Sequence, residues 1–321
     1  MWTPGVAPTA LDASSGLLEV SHVGKSFGRR AALSDVSFSV GAGEVVGLVG
    51  PNGAGKSTAF RIVCRLLRPD SGTVTLAGHD VRRHPRAFRS QIGVLIEGPG
   101  YYPGLSASSH LSYLARVRGC FSRELVTRTL EEVGLAADSR KPVGKFSLGM
   151  KQRLGIAMAI LHSPRLLVLD EPMNGLDPVG MASLRGFLRD LGPRRGVSVL
   201  VSSHLLHEVE QVCDRVLFIR DGRLVDEASL TREGLAEIET VLLRTGDDAL
   251  ALRLLEGQPF VRELVPLPVG LECRTAAREV PLLVELLVRA EVAVHQVTPR
   301  RRSLEDLYLS HYGGPGKGGI E

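Results

Sequence analysis

Two short stretches of the chain hold the residue types that phosphate chemistry needs. In the first, Gly50-Pro51-Asn52-Gly53-Ala54-Gly55-Lys56-Ser57-Thr58, glycines, a lysine and two hydroxyls fit the spacing G-x-x-x-x-G-K-[ST]. The glycines let the backbone curl until several N–H groups point inward at phosphate oxygens. A helix starting at Lys56 would add partial positive charge from its N-terminus. Lys56 is expected to reach the β- and γ-phosphates, and the Ser57 hydroxyl to ligate Mg2+. The second stretch, RLLVLDE (165–171), ends an apolar run on two adjacent carboxylates. Such a pair is expensive at a strand end unless a cation and water use it. Asp170 is suited to the Mg2+ shell, and Glu171 to polarising an attacking water as general base. A phosphate loop alone leaves kinases, GTPases and many ATPases open.

These residues need rigid supports, and the hydrophobic pattern predicts them. EVVGLVG, before the glycine loop, is nearly all apolar, as in a strand buried on both faces. After the loop, Phe60, Val63 and Leu67 recur at helical spacing, and Pro69 is expected to stop that helix. LLEVSHVGKSF and ALSDVSFSV read as strands, as do QIGVLI, RLLVLD and VSVLVSSH. Residues 86–163 otherwise read as mostly helical. Strands alternating with helices imply an α/β domain with a mostly parallel, doubly covered sheet. Past about residue 224 the texture changes to strand, helix, two strands, helix, strand and helix (the last SLEDLYLSHY), a small α+β module without a visible catalytic constellation. The expected divisions are a loose tail over 1–16, a nucleotide-binding domain over 17–228 with a helical subdomain at about 86–163, an accessory domain over 229–312, and a disordered tail over 313–321.

Composition excludes little but bounds the rest. The chain has 321 residues, 44% hydrophobic, with a formal net charge of +4. That excess is mild and no nucleic-acid partner is expected from it. Arg82-Arg83 and Arg300-Arg301-Arg302 are short runs that read as solvated surface. Cysteines at 64, 120, 213 and 273 show no C-x-x-C spacing, and a reducing compartment fits them. Cys64 and Cys213 fall in apolar-periodic segments and read as small buried hydrophobes. No apolar run reaches the about 18–20 residues that span a bilayer, and MWTPGVAPTALDASSG lacks the pattern of a signal peptide.

Several further stretches, in a fixed order, make the chain resemble the ATP-binding subunit of an ABC transporter. The resemblance runs from about residue 17 to 228. GPNGAGKST is similar to the Walker A loop, and VLDEP to the Walker B strand with its glutamate. Asn174-Gly175-Leu176-Asp177 resembles the D-loop, which implies that Asp177 lies near a dimer partner. VSSH resembles the switch strand, which puts His204 near the γ-phosphate. Phe146-Ser147-Leu148-Gly149-Met150 resembles the signature Leu-Ser-Gly-Gly-Gln, keeping Ser147 and Gly149 and losing the first glycine of the pair and the glutamine. Ser147 also suits the N-cap of the helix that follows. Phe27 stands where the family stacks an aromatic on adenine. Glu97 replaces the glutamine of the lid loop; it can still ligate Mg2+ while adding negative charge beside the γ-phosphate. With the FSLGMKQR wording, Glu97 makes the chain similar to ATPases serving bacitracin- and lantibiotic-type export and self-resistance. Leu304-Glu-Asp-Leu-Tyr resembles the accessory domain of drug-export ATPases.

The resemblance implies a P-loop NTPase fold, with ATP and Mg2+ bound by Gly50, Asn52, Gly53, Ala54, Gly55, Lys56, Ser57 and Thr58. It implies Lys56, Glu171 and His204 as the catalytic set. It implies a separately encoded integral membrane permease and a second copy of the chain in a head-to-tail, ATP-sandwich dimer. Ser147, Gly149 and Asp177 would then serve the other copy's nucleotide. The expected place is cytoplasmic, peripheral on the inner face of the cell membrane, with Tyr101-Tyr102-Pro103 either facing the permease or packed locally. Two alternatives remain open. A soluble ATPase of nucleic acid or ribosomes would usually carry a coiled-coil insertion or a second cassette, whereas 90 residues without sustained heptads separate Lys56 from Ser147. A non-hydrolysing ATP sensor is suggested by Glu97 and the altered signature, against Glu171 and His204.

Overall fold

The computed structural model describes residues 16–96, 98, 100–230, 239–300, 308 and 312. It divides into two compact units, with the boundary between Ala228 and Ser229. The first opens with β1 (Leu18–Phe27), β2 (Arg30–Val40) and β3 (Val45–Val49), then α1 (Lys56–Val63), β4 (Ser71–Leu76) and β5 (His79–Asp80). Next come α2 (Pro85–Gln91), β6 (Ile92–Leu95), α3 (Ala107–Val117), α4 (Arg123–Glu132) and α5 (Leu148–Ile160). The unit ends with β7 (Leu166–Leu169), α6 (Pro178–Arg195), β8 (Ser198–Ser203), α7 (Leu206–Val212), β9 (Arg215–Arg220) and β10 (Arg223–Ser229).

Two sheets result. The six-stranded one runs β10-β9-β3-β8-β7-β6, and its pairs from β9 to β6 are parallel. Every residue of β3, β7 and β8 is buried, which explains why those segments read as apolar runs without alternation. The second sheet, β2-β1-β4-β5, is antiparallel. One core joins the two sheets through α1, with Leu18, Phe38, Leu48, Phe60, Leu76 and Leu217 all buried in it. The start of β3 is pinned by polar bonds. Asp214 accepts from the Val45 N–H at 2.8 Å, and Arg215 donates to Glu44 at 2.7 Å. Burial pushes the Glu44 carboxyl up, but the Arg215 and Gly41 hydrogen bonds outweigh that and hold it below its ordinary value. The strand that carries the glycine loop is thereby fixed at its far end. Cys64 and Cys213 are buried and free, as their apolar settings suggest.

The α1 helix ends earlier than the sequence expectation. It stops at Val63, before Pro69, because Arg65 adopts φ +59°. The Arg65 and Leu66 N–H groups turn back to the carbonyls of Ile62 and Arg61 at 2.9 and 2.7 Å, a Schellman closure with arginine in the usual glycine place. Leu66 is left 65% exposed.

In the second unit, β11 (Glu239–Thr245), α8 (Asp248–Leu255), β12 (Glu263–Pro266), β13 (Leu271–Thr275), α9 (Val280–Arg289) and β14 (Val294–Arg300) form a sheet ordered β12-β13-β11-β14. All its neighbours are antiparallel, the split βαβ plan. Val241, Leu243, Cys273, Leu255, Leu283 and Leu287 make its core. The Leu304–Leu307 stretch lies outside the described residues, as do both proposed tails apart from Gly16.

Close packing between β6 and α5 makes one glycine indispensable. A Cβ on Gly93 would lie 2.3 Å from the Ala159 carbonyl oxygen. Gly93→Ala is expected to lower unfolding stability by about 1–3 kcal/mol, measured by chemical denaturation; an unchanged midpoint would contradict the close approach.

Candidate functional site

The glycine loop leaves β3 at Gly50, where a Cβ would sit 2.2 Å from the Ile219 carbonyl oxygen. It enters α1 through Gly55, the N-cap, at φ +112°, a conformation for which side chains are strained. Between them, the Ala54 N–H bonds the Pro51 carbonyl, and the Ala54 carbonyl accepts from Gly222 at 2.9 Å. Gly50 and Ala54 thus anchor the loop, while Asn52, Gly53, Gly55, Lys56, Ser57 and Thr58 line a cavity of about 460 Å3. Lys56 is only 5% exposed, and its ammonium donates to the carbonyls of Gly50 at 2.6 Å and Pro51 at 3.1 Å. Burial pushes that ammonium down from its ordinary value, partly offset by the carboxylates of Glu171 and Asp170.

Phe27, Arg30, Ala31, Ala32, Glu171, Asp221 and Gly222 form the rest of the cavity wall. Phe27 is 52% exposed, so it is no core residue. Its ring carries the Lys25 ammonium 5.7 Å from the centroid and offers a free face to a flat base. Glu171 has φ +47°, a conformation costing about 1–2 kcal/mol for an L-residue. Its carboxylate lies 3.1 Å from His204 Nδ1 and accepts from Asn174 at 3.4 Å. Asp170, one residue earlier, accepts from the Ser202 hydroxyl at 2.5 Å, and that same oxygen accepts the Glu171 N–H at 2.9 Å. Lys56, Glu171 and His204 are therefore brought together. Sequence reasoning missed Ser202 and Arg30. No sequence signal singled out Ser202, one of three serines in β8; it stands out only through the register, one position past the partner of Leu169.

Ser57 and Asp170 offer hard oxygen donors, which fits Mg2+, a cation that takes one or two protein ligands and fills its shell with phosphate and water. Among the described residues no group of three or more His, Cys, Asp or Glu forms a metal cage. Glu97 lies outside the described residues.

Ser147, Gly149 and Asp177 do not line the cavity. Ser147 caps α5, accepting from the Met150 N–H at 3.2 Å, and Asp177 caps α6, accepting from Gly180 at 3.1 Å. A Cβ on Gly175 would meet Leu148 at 2.6 Å, and one on Gly149 would meet Leu176 at 3.4 Å. The signature and the Asn174–Asp177 turn are thus packed on each other within one chain. The two tyrosines divide: Tyr101 is half-buried and its hydroxyl donates to the Lys151 carbonyl of α5, whereas Tyr102 is 63% exposed.

Comparison with known proteins shows the family. A family model described as ABC transporter matches residues 33–174. The ABC transporter ATP-binding protein YhcH of Bacillus subtilis is 36% identical over 297 residues, covering 92% of this chain and 96% of YhcH. The bacitracin transport ATP-binding protein BcrA of Enterococcus faecalis is 33% identical over 300 residues, covering 94% of this chain and 97% of BcrA. The lantibiotic transport ATP-binding protein SrtF of Streptococcus pyogenes is 40% identical over 211 residues, 66% of this chain and 90% of SrtF. Among solved structures, an ATP-binding subunit of an ABC transporter superposes with TM-score 0.61 at 32% identity, covering 67% of this chain and 90% of that one. The dimeric post-hydrolysis cassette MJ0796, bound to ADP and Pi, superposes with TM-score 0.61 at 25% identity, covering 67% and 99%. The chain belongs to the ATP-binding proteins of ABC transporters. It is an ATPase of the P-loop class whose hydrolysis is coupled to transport.

Lys56 supplies the buried cation of the cavity, so Lys56→Ala should weaken ATP binding by roughly 100-fold or more. Titration with a fluorescent ATP analogue measures this; affinity within about twofold of wild type would remove Lys56 from the site.

Proposed function

We propose that this chain powers a separately encoded integral membrane permease that exports a drug, peptide antibiotic or lipid-like compound. The observation that carries the reading is Lys56 and Glu171 at one cavity, with His204 held on the Glu171 carboxylate, in a chain where, among the described residues, no helix is long and apolar enough to cross a membrane. Phe27 stacks on adenine. The N–H groups of residues 50–58 hold the phosphates, and Lys56 exchanges its loop carbonyls for the terminal phosphate oxygens. Ser57 and Asp170, with Glu97, hold Mg2+, which when bound neutralises phosphate charge and fixes the β- and γ-groups. Glu171 takes the proton of the attacking water, and His204 steadies its carboxylate from 3.1 Å.

A second copy completes the site. Ser147, Gly149 and Asp177 lie off the chain's own cavity, beside the exposed side chains of Leu148 and Val179. An α5 N-terminus suits an anion presented by a partner. The dimeric solved cassette supports the same assembly. The names of BcrA and SrtF support a peptide-antibiotic cargo. The place that follows is cytoplasmic, on the inner face of the membrane.

Docking on the permease is supported by an open apolar groove of about 1190 Å3, walled by Leu66, Phe88, Val94, Leu114, Val117 and Phe121. Arg89 and Arg118 rim it, and among the described residues no acidic one lines it, so its occupant is an apolar permease segment with acidic flanks.

Glu171→Gln should stop turnover yet leave ATP binding intact, so that ATP shifts the variant to a stable dimer in size-exclusion chromatography. Hydrolysis at the wild-type rate would overturn the assigned role. Val117→Asp should abolish co-purification with the permease while basal hydrolysis stays within about twofold; retained co-purification would move the docking surface elsewhere.

A further inference from the structure

The switch strand carries a residue whose placement is more specific than its position beside His204 requires. Ser202 lies on β8 and is fully buried. The parallel register pairs Leu169 with Val201, so Ser202 stands beside the point where β7 gives way to Asp170 and Glu171. Its hydroxyl does two things at once. It donates its one hydrogen to Asp170 Oδ1 at 2.5 Å, and it accepts the Glu171 N–H at 2.9 Å. The chain turns into the left-handed region at Glu171, φ +47°, and the amide that leaves the β7 ladder there is taken by this side chain. On the other side, the Asp170 N–H is held by the Leu95 carbonyl of β6 at 2.8 Å. Asp170 is thus clamped between two neighbouring strands.

We infer that Ser202 is a positioning residue for hydrolysis: a single hydroxyl sets the spacing between the carboxylate that faces Mg2+ and the carboxylate that faces the attacking water. This rests on the roles proposed above for Asp170 and Glu171. With Oδ1 of Asp170 engaged, its other oxygen is the one left for the cation's shell. With the Glu171 amide engaged, the left-handed turn keeps the Glu171 side chain at the cavity wall and within reach of His204. Removing the hydroxyl leaves a buried N–H without a partner and lets the Asp170 carboxylate rotate, so both orientations loosen together. Ser202 does not line the cavity walled by Phe27 and the phosphate-loop residues, which carry nucleotide affinity.

The test compares wild type, Ser202→Ala and Ser202→Thr in the full chain. One measurement is steady-state ATP hydrolysis. The other needs no turnover: the Mg2+ concentration giving half of the full rise in melting temperature at fixed ATP. Ser202→Ala should lower kcat roughly 10- to 100-fold, the scale of a lost hydrogen bond to a charged group. KM for ATP should stay within about twofold, the Mg2+ midpoint should rise several-fold, and Ser202→Thr, which restores a hydroxyl, should recover both. Wild-type kcat with a wild-type Mg2+ midpoint in Ser202→Ala would overturn the inference. So would a parallel loss of kcat and ATP affinity with a lowered melting temperature without ligand, because that marks a packing role. If the wild type itself did not hydrolyse ATP, the catalytic roles of the preceding section would fall, while the Mg2+ midpoint would still decide whether Ser202 orients Asp170.

Discussion

A buried ammonium facing two carboxylates at the end of a fully buried strand is the constraint on which the rest of this structure depends. Lys56 is 5% exposed, and burial alone pulls it toward neutrality. Glu171 and Asp170 offset part of that pull. Neither carboxylate would be tolerable there without fixed partners. The partners are supplied by the neighbouring strand, Ser202 for Asp170 and His204 for Glu171. The parallel register of β3, β8 and β7 is therefore more than scaffolding, since a slip of one residue would turn these groups to the opposite face.

The same constraint explains the polar pins at the far end of β3. A strand carrying a phosphate loop must not slide, and the bonds from Asp214 and Arg215 to Val45 and Glu44 hold its start. The α5 helix is tied in from another direction, through Tyr101 and through Gly93 packed on Ala159. The helix bearing Ser147 is thus joined to the first unit's core, so that closure against a partner would carry the whole helix with it.

Much of this was legible in the sequence, because it is local. Gly50 to Thr58 announces its loop through residue types, and Gly55 at φ +112° is what that glycine implied. The strands around residues 45, 166 and 198 read as buried because all their residues are. The order of elements over residues 239–300 was legible too, since short apolar strand runs and helix-spaced apolar residues follow one another there. What was not legible is long-range or against propensity. Pairing of β1 with β4 brings residues 18–24 against 71–76, and no local pattern encodes it. The end of α1 at Arg65 uses a non-glycine in a glycine conformation, so Pro69 drew the boundary in error. Ser202 became visible only once β7 and β8 were in register.

The proposed site is completed by two copies of the chain. Its most direct test mixes Lys56→Ala chains with Ser147→Arg chains, each inactive alone. If the signature of one copy serves the loop of the other, the mixed dimer holds one intact site, and ATP hydrolysis returns on mixing. If each chain uses its own signature, both sites stay defective in every dimer. Activity that remains at the sum of the two separate variants would contradict the account.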